Sequence, residues 1–206
     1  MTVRTARSTL APVTLAMVDA ALAGNATLQA AVGVQVPDSW PPEFLDADAW
    51  AWLRHRMAEP AYVAGWWMYV AVCQHVAGDH RLGTVGYEGP PDADATVEIG
   101  IGTVHERRLK GYASEMAGAL VARAFATSPV RRVIAETMPE LVGAIGVPRR
   151  CRFTQMDGAA EPGAIRFELT RESFEIRVSR ALIAARRHLY FSRGQLPVPR
   201  FKRPLY

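Results

Sequence analysis

The sequence predicts a mixed α/β (α+β) fold: a single domain on a twisted, mostly antiparallel sheet with a central parallel strand pair, flanked by helices. Three observations predict it. Residues 66–74 and 81–88 are two β-rich runs joined by Gly78-Asp79, the signature of an antiparallel hairpin. Residues 96–104 then alternate, with Val97, Ile99, Ile101 and Thr103 on one face and Glu98, Gly100 and Gly102 on the other, as a strand requires. A helical stretch, 112–127, separates that strand from a Val- and Ile-rich run, 131–136, and strand, helix, strand in that order implies parallel pairing.

The remaining elements follow in chain order. Residues 12–24 predict a helix, with Val13, Ala16, Met17, Ala20 and Ala21 at apolar positions and Gly24-Asn25 closing it. A second short helix is expected at 27–32, a turn-rich bridge at 37–42, and a third helix at 46–57 with Asp46 or Asp48 as its cap. After the parallel pair, 152–157 and 164–169 predict two closing strands with 158–163 between them. Residues 171–188 predict a helix with Phe174, Val178, Leu182 and Ile183 at apolar spacing and a mostly basic opposite face. Beyond Gly194, three prolines and scattered bases predict a flexible end.

Composition bounds the function classes. With 206 residues, half of them hydrophobic, the chain suits one domain with a sizeable core. The longest apolar run, 61–73, is too short for a membrane span. Arg4 and Arg7 before an apolar stretch imitate a secretory signal, but Asp19 interrupts it and no clean cleavage site follows, so a cytoplasmic protein is expected. Cys73 and Cys151 provide neither a disulfide framework nor metal-ligand spacing and read as buried, reduced thiols. His55, His75, His80 and His188 lack the spacing of metal ligands, and no metal is expected.

Net charge is +4, but residues 171–206 hold nine Arg or Lys against two Glu, a local +7, which leaves the rest at −3. Such a tail suits nucleic acid, the ribosome or an acidic partner surface. The plainer reading is a helix packed on its own domain through Phe174, Val178 and Leu182, followed by a solvated end.

The stretch most charged with chemistry runs from Val97 to Ala117. Arg108, Gly111 and Ala113 fit the spacing Arg/Gln-x-x-Gly-x-Gly/Ala at the start of the helix, and Arg107 and Lys110 add charge. Small residues let a ligand approach the backbone. The first helical turn leaves N–H groups without partners and carries partial positive charge, so a pyrophosphate gains hydrogen bonds and favourable electrostatics there.

Four ordered blocks carry a family resemblance: G-x-V-G-Y-x-G-P-P-D-A-D from Gly83, V-E-I-G from Val97, R-L-K-G-Y-A-S-E from Arg108 and V-I-A-E-T from Val133. Together they resemble the GNAT superfamily of acyl-CoA-dependent N-acetyltransferases, in particular the bacterial branch similar to ribosomal-protein acetyltransferases, over residues 82–153. The resemblance implies acetyl-CoA as cosubstrate and transfer of its acetyl group to a primary amine, of a small molecule or a protein N-terminus, by direct attack in a ternary complex. It implies that Thr103 and Val104 hold the pantetheine arm and the acetyl carbonyl. It implies that Arg108, Leu109, Lys110, Gly111, Tyr112, Ala113 and Ser114 cradle the pyrophosphate. The GNAT-like domain is expected at 1–170, with a basic helix and tail at 171–206, and the protein as a monomer or homodimer.

The transfer needs a base within reach of the amine, and a carboxylate on a central strand among apolar residues has the shifted pKa such a base requires. Glu98 is the candidate; the family often uses a carboxylate at this part of the sheet. The competing reading is a structural Glu paired with backbone or an Arg. Glu136 and, through water, His105 are further candidates. Trp50, Trp52, Trp66 and Trp67 read as core packing or as the wall of an acceptor pocket.

The chain departs from the family after V-I-A-E-T. Relatives place an Asn where Leu141 stands, a Ser at Ala144 and a Gly at Arg152; only Phe153 is kept. Some place a thiolate-protonating Tyr at the position of Pro148. Proline within a helix costs about 3 kcal/mol or more, so this helix is expected to be short, kinked or replaced by a loop. The departure keeps a second function open, a GNAT-fold CoA-binding pseudoenzyme or interaction protein with little transferase activity.

Overall fold

The computed structural model describes residues 2–42, 45–74, 80–102, 109–127 and 129–192. Its strands are β1 (Val3–Arg4), β2 (Ser8–Pro12), β3 (Met68–Gln74), β4 (His80–Tyr87), β5 (Thr96–Gly102), β6 (Arg132–Thr137), β7 (Thr154–Met156) and β8 (Ile165–Thr170). Its helices are α1 (Leu15–Ala23), α2 (Asn25–Val32), α3 (Ala47–Met57), α4 (Tyr112–Ala126), α5 (Val142–Arg150) and α6 (Arg171–Ser192). The chain divides into two compact units, Met1–Arg171 and Glu172–Tyr206. The first holds the whole sheet; the described part of the second is the helix α6.

The sheet runs β1-β2-β3-β4-β5-β6-β8-β7, antiparallel throughout except for the β5–β6 pair. The expected mixed sheet with one parallel pair is therefore the observed one. The helix between these two strands, α4, buries Met116, Ala117, Leu120, Val121 and Ala124, a spacing that turns one apolar stripe onto the sheet. Tyr69 and Phe167, both at 1% exposure or less, are the largest of the fully buried side chains.

Sequence-level caps are found where side-chain chemistry puts them. Thr14 Oγ1 accepts the N–H of Met17 at 3.3 Å, and Asp46 Oδ1 accepts that of Ala49 at 2.9 Å. Arg171 closes the first unit: its guanidinium donates to the carbonyls of Phe125, Thr127 and Val130, satisfying the end of α4.

Several expectations need correction. The amino terminus is not only helical, because β1 and β2 form a hairpin that docks antiparallel on β3, with Leu10 fully buried. The segment after β6, by contrast, is one of the expected alternatives, a short helix: α5 runs for nine residues with Pro148 inside it. The proline stands in the third-last position, where the chain is already turning out through Cys151 N–H to Val147 O and Phe153 N–H to Pro148 O. Cys151 is half-buried, with its Sγ 3.4 Å from the Ser114 carbonyl. Trp50, Trp66 and Trp67 are core residues, whereas Trp52 is 48% exposed. The Gly78-Asp79 turn and the end beyond Gly194 lie outside the described residues.

Among the described residues, no helix is long and apolar enough to cross a membrane, and no group of three or more His, Cys, Asp or Glu is placed to hold a metal ion.

Candidate active site

The site starts from a change of partner along β5. Ile99–Gly102 of this strand pair with β4, whereas Thr96–Glu98 pair with β6, and the β6 ladder ends at Glu98↔Ile134. Beyond Glu98 the parallel neighbours part. A strand that loses its neighbour presents a row of N–H and C=O groups with no ladder partner on that side. A cavity of about 880 Å³ opens there, lined by Glu98 to Gly102 of β5, Ala135 to Thr137 of β6, the entry of α4 and the inner side of α5.

Glu98, Gly100 and Gly102 share one face of β5 by alternation, and all three line this cavity together with Ile99 and Ile101. Extending the β4–β5 register by one pair puts Glu88 opposite Glu98, and Glu88 N–H donates to the Glu98 carbonyl at 3.1 Å. The glycines let neighbours close in on this face: a Cβ on Gly100 would come within 2.9 Å of Glu88 Oε1, and one on Gly102 would meet Thr84 Oγ1 and Pro42.

The two central carboxylates differ by their surroundings. Burial pushes the Glu98 pKa up to about 7, the charges of Glu136 and Glu88 push in the same direction, and Arg166 opposes them. Glu136 is also pulled upward by burial. Yet hydrogen bonds from Arg166 Nε, at 2.7 Å, and from the Ala160 N–H hold it below the usual carboxylate range. Glu136 therefore stays an anion locked in a pair, and Glu98 is left as the group able to exchange a proton near neutrality. Burial raises Glu88 too, even though part of its side chain is exposed.

The far side of the cavity is the entry to α4. Leu109 and Gly111 both adopt left-handed backbone, at φ 62° and 82°. That conformation is easy for Gly111 and strained for Leu109, whose side chain is 86% exposed. Gly111 stands at the N-cap of α4 and, having no side chain, makes no capping hydrogen bond to the helix. Gly111, Ala113 and Ser114 line the cavity, and Ser114 Oγ is buried without a hydrogen-bond partner. Together, an uncapped helix start, an orphaned hydroxyl and a glycine-floored strand edge fit a long ligand carrying phosphates at one end and amide groups along its length.

Of the residues singled out in the sequence, Glu98, Glu136, Leu109, Gly111, Ala113 and Ser114 come together around the cavity, with Leu141, Ala144 and Pro148 of the departing segment. Lys110 turns its carbonyl to Arg7, and the ring of Tyr112 is buried beneath the Arg7 guanidinium. Thr103, Val104 and Arg108, like His105, lie outside the described residues. Glu88 lines the cavity although sequence reasoning gave it no role there. The register Tyr87↔Ile99 would have revealed Glu88, since opposite residues share a face.

The acetyltransferase (GNAT) domain model matches residues 7–154. No curated protein matches the chain. Among solved structures it is similar to an acetyltransferase (GNAT family) from Bacillus anthracis, 18% identical, covering 84% of this chain and 99% of that one, with a TM-score of 0.56. It is also similar to a putative ribosomal-protein-serine acetyltransferase from Vibrio cholerae, 17% identical, covering 82% and 97%, with a TM-score of 0.56. A ribosomal L7/L12 alpha-N-protein acetyltransferase in complex with coenzyme A is 16% identical, covering 84% and 99%, with a TM-score of 0.59. At these identities the likeness is one of fold.

Proposed function

Because the chain belongs to the GNAT acetyltransferase family, we propose that it moves the acetyl group of acetyl-CoA to a primary amine, by direct attack in a ternary complex with Glu98 as the base. One observation supports this most: a carboxylate with a pKa of about 7 stands where β5 leaves β6, inside the cavity that also takes the uncapped start of α4. A general base works best with a pKa near the operating pH.

Acetyl-CoA supplies an acyl carbon activated by its thioester. Gly111, Ala113 and Ser114, with Leu109, Lys110 and Tyr112 of the same turn, would hold its pyrophosphate; the unpaired edge of β5 would hold the pantetheine amides. Thr103, Val104 and Arg108 continue that strand and turn in sequence and belong to the same proposal. Glu98 takes a proton from the acceptor ammonium, directly or through one water. The freed nitrogen bonds to the acyl carbon as the C–S bond breaks, and the second nitrogen proton, shed as the amide forms, passes through water to the departing thiolate. Pro148 has no proton to give. In this reading residues 1–170 form the transferase domain, 171–206 a basic element outside the chemistry, and the reaction runs in the cytoplasm. The acceptor is a small-molecule amine or a peptide N-terminus.

The test is acetyl transfer from acetyl-CoA to a panel of amines and peptide N-termini, with CoA binding measured beside it. Glu98→Gln is expected to lower kcat about 10²- to 10⁴-fold while CoA still binds. The rate is expected to rise with pH through about 7 as Glu98 loses its proton. Tight CoA binding with no transfer to any acceptor would make the protein a CoA-binding pseudoenzyme instead.

A further inference from the structure

The turn that enters α4 is braced from the other end of the chain. Arg7 stands in the β1–β2 turn, 108 residues before Glu115 in the first turn of α4. Its Nε donates to Glu115 Oε2 and its backbone N–H to Glu115 Oε1, both at 2.7 Å, and the Thr5 hydroxyl donates to Oε1 as well. Its NH1 donates to the Lys110 carbonyl at 3.2 Å, and its guanidinium lies 4.3 Å above the Tyr112 ring.

We propose that Arg7 is a positioning residue for phosphate binding: the N-terminal hairpin holds the 110–111 peptide so that its N–H is presented to the pyrophosphate of CoA. The geometry carries this. A trans peptide is planar, with C=O and N–H pointing opposite ways. With the Lys110 carbonyl held toward Arg7, the Gly111 N–H is turned away from the hairpin, and Gly111 lies on the cavity wall. Gly111 φ is 82°, a conformation a free glycine visits as one of several, so something outside the turn must select it. Glu115 is well placed to be that anchor's counter-charge. Burial pulls its pKa up, but the hydrogen bonds from Thr5 and Arg7 outweigh that and keep it ionised. The Arg7 fork suits the task because one planar group reaches a carboxylate and a carbonyl at once, over an aromatic ring.

The inference rests on the acetyl-CoA reading, and its test separates the two. CoA and pantetheine, which lacks the pyrophosphate and adenosine, are titrated calorimetrically into wild type, Arg7→Ala, Arg7→Lys and Glu115→Gln. Arg7→Ala is expected to weaken CoA binding about tenfold, the loss of one charge-assisted hydrogen bond, with pantetheine affinity unchanged. Arg7→Lys is expected to fall between, because an ammonium keeps the charge and loses the fork. Should Arg7→Ala fail to fold, Arg7→Lys and Glu115→Gln are judged by the same split. Equal losses for CoA and pantetheine would mean a general structural defect and overturn the proposal, as would unchanged CoA affinity. A wild type that binds no CoA would instead overturn the acetyl-CoA reading itself.

Discussion

Glu98 links chemistry to stability. Its pKa is 4.5 in an unperturbed setting and about 7 in the folded protein. Between those values the folded state holds more protons than the unfolded one, so stability falls as pH rises across that window and levels off outside it. Glu98→Gln removes the titration. Thermal melts at pH 5 and pH 8 are expected to show the variant gaining on wild type at pH 8 relative to pH 5. The same difference at both pH values would remove the raised pKa. Glu136 has the opposite sign: its depressed pKa contributes stability that is present at neutral pH and lost as pH falls through the folded value. The split between these carboxylates was half-legible in the sequence. Alternation put Glu98 on a glycine-bearing face, but nothing local says that Arg166, 30 residues on, answers Glu136. Arg7 was equally hidden, read as part of a signal-like start because its partner lies beyond any sequence window.

At the scale of elements, glycines report on contacts. A Cβ on Gly86 of β4 would come within 2.9 Å of Met68 Cα and the Trp67 carbonyl, both backbone. Gly86→Ala therefore forces β3 to shift and is expected to cost about 1–3 kcal/mol in urea unfolding. Gly146 of α5 has open space around it, so Gly146→Ala is expected to stabilise by about 0.5–1 kcal/mol. The reverse ordering would contradict the packing. The long periodic elements, α4 and β5, were readable because one face of each is buried and the pattern says so. α5 was half-legible: Pro148 foretold a short helix, and it runs for nine residues with the proline near its end, although Gly143 and Gly146 weaken its propensity further. β1 and β2 escaped because strands of two and five residues are too short for alternation to register. The partner that fixes β2 is β3, with Leu10 opposite Ala71.

Across the first unit, protection should follow depth in the sheet. Tyr69, Val70 and Ala71 of β3, Val85 of β4, Val97 of β5, Val133 of β6 and Phe167 of β8 are each at 2% exposure or less, whereas all three residues of β7 are exposed. Hydrogen exchange followed by mass spectrometry is expected to find the slowest amides in β3, β4 and β6 and fast exchange in β7. Equal protection of β7 and β3 would refute this. The parting of β5 from β6 has one more consequence. An unpaired strand edge is a template for pairing with another chain, and proteins shield such edges to stay dispersed. Here the edge lies inside the molecule, in the cavity that α5 helps to enclose. α5 thus guards solubility as well as a ligand: a variant that melts this nine-residue helix bares a ready-made seam for self-association, and its first symptom is aggregation.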